Sequence, residues 1–158
     1  MNRAGGRDRT YDTVLLPTDG SRTAEQAADH GIELARRWDA NVHALFVIDV
    51  AELLELGYVG DRSDFEATIE PLEDEAKRAV GAVRERADER GVQAIAVVRQ
   101  GDPVEMILEY VDEADVDLIV MGTHGRRGLA RHLLGSVTER VLRRATVPVL
   151  TVGGPADE

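Results

Sequence analysis

Hydrophobic positions along the chain alternate between two rhythms. Thr13-Val14-Leu15-Leu16 is a short apolar run stopped by Pro17, the pattern of a buried strand. Ala24, Ala27, Ala28, Gly31 and Ala35 then recur at helical spacing, and Ile32, Leu34 and Trp38 widen the stripe; its small residues predict a helix packed closely on a sheet. Val42 to Ile48 is almost continuously apolar, as a parallel strand covered on both faces must be. Residues 51 to 64 are irregular and read as a loop or short helical excursion. From Phe65, the positions Ile69, Leu72, Ala76, Val80, Val83 and Ala87 restore a helical rhythm; Pro71 marks its first turn or a kink, and Gly91 closes it.

Val92 to Val98 reads as the third strand. Asp102-Pro103-Val104-Glu105 follows as a helix start, with an aspartate cap, proline at the first position and glutamate reaching back. Asp117 to Met121 is the fourth strand, Ser136 to about Ala145 a helix, and Thr146 to Val152 the fifth strand. Strands alternating with helices predict a single-domain α/β fold: a doubly wound, five-stranded parallel sheet with right-handed crossovers. Ligands on such sheets sit beyond the carboxyl ends of the strands, where the strand order reverses.

A chain of 158 residues supports one core, and 43% hydrophobic with 4% aromatic residues describes a folded protein built on aliphatic packing. No apolar run approaches the roughly 20 residues of a membrane span, and the first ten residues lack the apolar centre of a secretory signal. A cytoplasmic protein with no membrane association is therefore expected. The absence of cysteine excludes disulfides, thiol nucleophiles and thiolate zinc sites. Thirty acidic against nineteen basic residues give a net charge of -11, which disfavours nucleic acid as a partner. Lys77 is the only lysine, the other bases being arginine; this acidity fits a high-salt cytoplasm, although a GC-rich genome also replaces lysine by arginine.

The segment Gly122 to Glu139 carries the most chemistry. Gly122, Gly125 and Gly128 permit positive φ and close approach of backbone N–H groups to an anion. Gly135 and Ser136 open a helix whose N-terminus favours phosphate, and Arg126, Arg127 and Arg131 concentrate positive charge in an acidic protein. Against this, Ser136-x-x-Glu139 has the form of a capping box, so Ser136 can serve only its own helix. His124 and His132 are not assigned as catalytic. At the end of the first strand, Pro17-Thr18-Asp19-Gly20-Ser21 offers Asp19 to a ribose or to a metal carried by phosphates; alternatively Asp19 or Ser21 caps the first helix. Val47 is core, with a backbone able to meet a base edge, while Asp49 and Asp102 read as a strand terminator and a cap.

Several machines are excluded. Lys77 follows no glycine loop, so there is no Walker motif, and T-D-G-S-R-T replaces a dinucleotide fingerprint after the first strand. Neither H-E-x-x-H nor G-x-S-x-G occurs. Without a lysine near the candidate site, rapid phosphoryl transfer is disfavoured.

The spacing G-x2-G-x9-G-[ST], met by Gly122, Gly125, Gly135 and Ser136, resembles the nucleotide-binding universal stress proteins. P-T-D-G-S after the first strand, F-V-I-D, G-D-P and V-P-V-L-T-V extend that resemblance over residues 11–152, with tails at 1–10 and 153–158. It implies a Rossmann-like fold of the adenine nucleotide alpha hydrolase type that binds ATP with magnesium. Pro17, Asp19 and Val47 would then surround adenine and ribose, while Gly122, Thr123, His124, Gly125, Arg126, Arg127 and Gly128, with Gly135, Ser136, Val137 and Thr138, would cradle the phosphates. The adjacent Arg126-Arg127 departs from the family pattern. The resemblance also implies a homodimer joined through Val147 to Val152, where Pro148 marks an edge strand. The expected function is a nucleotide-dependent stress-response switch or chaperone-like partner of an unknown protein, with at most weak ATPase activity. The alternatives are a slow ATP-hydrolysing or phosphate-transferring enzyme and a purely structural dimerisation module.

Overall fold

The computed structural model describes residues 11–55, 62–124 and 134–153. In chain order the elements are β1 (Thr13–Pro17), α1 (Arg22–Trp38), β2 (Asn41–Asp49), α2 (Val50–Glu55), α3 (Arg62–Glu89), β3 (Ala94–Gly101), α4 (Pro103–Glu113), β4 (Leu118–Gly122), α5 (Ser136–Arg144) and β5 (Val149–Val152). The strands form one sheet in the order β3-β2-β1-β4-β5, all pairs parallel. The chain winds outward from β1 through β2 to β3 and crosses back to β4 on the other side of β1. The order therefore reverses between β1 and β4, where such sheets open a ligand crevice.

Side-chain alternation along the strands divides the core into two layers. Val14, Leu16, Val42, Ala44, Phe46 and Val120 pack under α1 and α3, against Ala27, Ala28, Ile32 and Ala35 of the first helix and Ala76, Val80, Val83 and Ala87 of the second. Leu15, Leu45, Ile119 and Met121 face the other way, against Val104, Ile107, Tyr110 and Val111 of α4 and Val141 of α5. The alanine stripe of α1 lets that helix approach the sheet closely. A Cβ on Gly31 would overlap Leu16 Cδ2 and come within 3.4 Å of Val120 Cβ.

Local chemistry explains where the boundaries differ from the sequence expectation. Val92 belongs to the closure of α3, its N–H bonding Ala87 O at 2.9 Å past Gly91 at φ 74°, so β3 begins at Ala94. Pro148 supplies a carbonyl to Ile119 N at 3.0 Å but has no N–H, and β5 begins after it at Val149. Asp117 lies before β4, where its carboxylate accepts from the N–H groups of Asp12 and Thr13 at 2.8 and 3.0 Å and fixes the entry to β1. The irregular stretch contains α2, which Asp49 starts by accepting from Glu52 N at 3.0 Å. Pro71 is not in a first turn, because α3 begins nine residues earlier at Arg62.

Asp102 caps α4 as expected, accepting from Glu105 N at 3.0 Å. Glu105 does not complete a capping box; Arg144 of α5 takes its carboxylate with a two-pronged contact at 2.6 and 3.2 Å. That guanidinium holds the Glu105 carboxyl below its usual range. The pair fastens the end of α5 to the start of α4.

Beneath α4, His43 Nδ1 lies 2.6 Å from the Tyr110 hydroxyl, and the Arg99 guanidinium sits 5.7 Å from the Tyr110 ring centre. Burial pushes the His43 imidazole below its ordinary pKa and the Tyr110 phenol above its own. A histidine depressed in the fold takes up a proton on unfolding, so its contribution is complete above about pH 6.5 and is lost as the pH falls below that value. His43→Gln should accordingly lose less thermal stability than the parent protein between about pH 7 and about pH 5. Parallel melting-temperature profiles for the two proteins would show that His43 is not the group responsible.

Candidate functional site

Four of the five strands deliver their carboxyl ends to the reversal point or beside it. As the chain leaves β1, Thr18 N bonds Leu45 O at 2.8 Å and keeps the loop against β2. The loop then closes on its own side chains. Thr18 Oγ1 accepts from Gly20 N at 3.1 Å, Asp19 Oδ1 from Ser21 N at 2.9 Å, and Ser21 Oγ from Ala24 N at 3.2 Å. Gly20, at φ 81°, makes that reversal without a strained Cβ. Ser21 is thus the cap of α1, and Asp19 is the half-buried carboxylate that shapes the turn before it. Pro17 ends β1 opposite Leu45, which places Val47 two residues further along the neighbouring strand.

On the other side of the crevice, β4 ends at Gly122 and passes into Thr123 and His124. Gly122 does not adopt positive φ, in contrast to the conformational role expected of it. It is required for closeness instead: a Cβ there would lie 2.7 Å from Thr23 Cγ2 and 3.2 Å from the Thr23 carbonyl carbon. Thr123 is held at both backbone groups, its N–H by Val152 O at 3.0 Å and its C=O by Gly135 N at 2.7 Å. The buried Thr138 hydroxyl donates to Gly122 O at 2.8 Å. These bonds bring the start of α5 against the end of β4.

The capping-box alternative for Ser136 does not form. Gly135 is the N-cap of α5, no side chain among the described residues caps the helix, and Glu139 pairs with Arg143 at 2.9 Å. Ser136 lies exposed at the first helical position. The helix dipole and first-turn N–H groups thus favour an anion beside Gly122 and Thr123. His124 is half-buried, with Nε2 3.3 Å from Thr23 Oγ1 and Nδ1 3.3 Å from Thr123 Oγ1.

Pro17, Asp19, Val47, Gly122, Thr123, His124, Gly135, Ser136, Val137 and Thr138 all fall at the carboxyl end of the sheet or at the start of α5. Gly125, Arg126, Arg127, Gly128, Arg131 and His132 lie outside the described residues, as do 1–10 and 154–158. Thr23 was not legible as part of this arrangement. It is 1% exposed within the alanine stripe of α1, and only the fold brings it onto Gly122 and His124.

A doubly wound sheet of this order opens a crevice at the β1–β4 reversal, with the start of α5 held beside the end of β4, which defines an α/β protein of the nucleotide-fold type. Comparison with known proteins makes the class specific. The model of the universal stress protein family matches residues 10–153, and the chain belongs to that family. It is similar to universal stress protein MJ0531 of Methanocaldococcus jannaschii, with 40% identity over 151 residues covering 96% of this chain and 87% of that one. The solved structure of MJ0577, from the same organism, superposes with a TM-score of 0.81 at 32% identity, over 92% of this chain and 98% of that one. A universal stress protein solved in complex with cAMP superposes with a TM-score of 0.65 at 26% identity, covering 91% and 98% of the two chains. Among the described residues no helix is long and apolar enough to cross a membrane.

The Gly122 contact makes a direct prediction. Gly122→Ala should destabilise the protein by about 1–3 kcal/mol through overpacking against Thr23. Adding Thr23→Ser removes the colliding methyl and should recover part of that loss, the backbone contacts at 3.2 and 3.3 Å remaining. Strictly additive changes in denaturant midpoint would contradict the contact.

Proposed function

We propose that this chain is a cytoplasmic universal stress protein that binds ATP with magnesium at the β1–β4 reversal and works as a nucleotide-dependent switch. The observation that carries the reading is the start of α5, which no side chain among the described residues caps and which hydrogen bonds tie to the end of β4. In this reading, Pro17, Asp19 and the Val47 backbone contact adenine and ribose. Gly122 through Gly128, with Gly135, Ser136, Val137 and Thr138, surround the phosphates. The cAMP complex of a relative supports an adenine nucleotide as the ligand class.

Among the described residues, no group of three or more His, Asp or Glu side chains could hold a metal by itself. Magnesium fits better as an ion carried by the phosphates, screening their charge against a protein of net charge -11. Thr138 donates its hydroxyl proton to Gly122 O, so towards phosphate it offers its backbone N–H. Nucleotide bound across Gly122 and Gly135 would alter the surface presented by the intervening segment to a protein partner. A homodimer through Val147 to Val152 is supported by the place of β5 at an edge of the sheet and by Leu142 and Leu150, each about two-fifths exposed.

Calorimetric titration with magnesium ATP in high-salt buffer, with released phosphate followed in parallel, tests this reading. Saturable binding without sustained phosphate release is expected. Ser136→Ala removes an exposed hydroxyl that caps nothing, so it should weaken binding about 10- to 100-fold while leaving the melting temperature unchanged. Continuous phosphate release would favour the hydrolytic alternative, and absence of binding by the folded protein would overturn the assignment.

A further inference from the structure

His124 occupies a place that direct phosphate contact does not account for. Its ring stands between two hydroxyls, one on each side of the strand-order reversal. Thr123 is its chain neighbour, but Thr23 lies 101 residues away in the first turn of α1 and is 1% exposed. A neutral imidazole donates from one nitrogen and accepts at the other, and a threonine hydroxyl can do either, so both contacts are satisfied at once. Thr123 is itself pinned at both backbone groups by Val152 and Gly135. His124 is therefore the side chain through which α1 grips the chain just as it enters the glycine-rich segment.

We propose that His124 is a positioning residue: its Nε2 contact with Thr23 fixes the first turn of α1 to the entrance of the glycine-rich segment and so preorganises the nucleotide site. The inference rests on the reading of that site as the nucleotide site. A hydrogen bond already formed before binding spares the ligand the ordering of the entrance, so its loss lowers affinity while the backbone of Gly122 to Gly128 remains available to the phosphates. The Nε2 side carries the effect, because Nδ1 reaches only the adjacent residue.

The two nitrogens can be separated by substitution. Gln at position 124 reaches about as far as Nε2, whereas Asn reaches only about as far as Nδ1. Thr23→Val removes the hydroxyl and keeps the methyl that meets Gly122. His124→Asn and Thr23→Val should each weaken magnesium ATP binding about tenfold. The double variant should be about tenfold weaker, not a hundredfold, because both changes break one contact. His124→Gln should restore most of the affinity lost in His124→Asn. The same non-additivity should appear in the melting temperature without nucleotide, which reads the contact independently of binding.

Additive losses in affinity, or His124→Gln behaving like His124→Asn, would overturn the proposal and make His124 a direct ligand contact, with the nucleotide site intact. If the parent protein binds no nucleotide, the site reading fails and the effect on affinity fails with it. Coupling in the melting temperature would still separate that outcome from a missing contact.

Discussion

Close approach of α1 to the middle of the sheet is the constraint on which the rest of the molecule depends. Two glycines make it possible. Gly31 lets the helix settle on Leu16 and Val120, and Gly122 lets the end of β4 slide under Thr23. A side chain at Gly122 would press on the backbone of α1, and one at Gly31 would displace the end of Leu16 from the sheet. Because α1 begins immediately after β1, that approach draws the Thr18–Ser21 turn beside the end of β4. The crevice is thus a product of core packing, and its walls inherit the rigidity of the layers beneath them.

This changes the meaning of the glycine pattern. Spacing alone suggests positive φ at Gly122, yet Gly122 has none and serves closeness, while Gly135 opens α5 as expected, as a cap that brings no side chain. Thr138, four residues after Leu134, spends its hydroxyl on Gly122 O and holds the two anchors together. The anchors are built into the core, while Ser136 beside them is exposed at the first position of α5.

Much of this was legible in the sequence. The strand runs around Leu15, Leu45 and Val120, the alanine stripe of α1 and the Asp102 cap all give their signal within a few residues, and the structure has them where the rhythm puts them. Boundaries failed where one residue serves two elements. Val92 reads as a strand valine but closes α3, and Glu105 has the spacing of a capping box but is taken by Arg144, 39 residues away. The capping-box form at Ser136 misleads for a related reason, since Gly135 already occupies the cap. Thr23 was invisible because its importance lies in contacts with Gly122 and His124 that exist only once the sheet has formed.

The central claim is that ligand binding is confined to the β1–β4 reversal and rests on the anchors that meet there. Residue-resolved amide hydrogen exchange, with and without saturating magnesium ATP, tests it most directly. The account predicts added protection concentrated at Thr18–Ser21, Gly122–His124 and Gly135–Thr138, with the opposite end of the sheet around Asn41, Gln93 and Ile95 unchanged. Protection centred on that opposite end, or spread evenly over the chain, would contradict it.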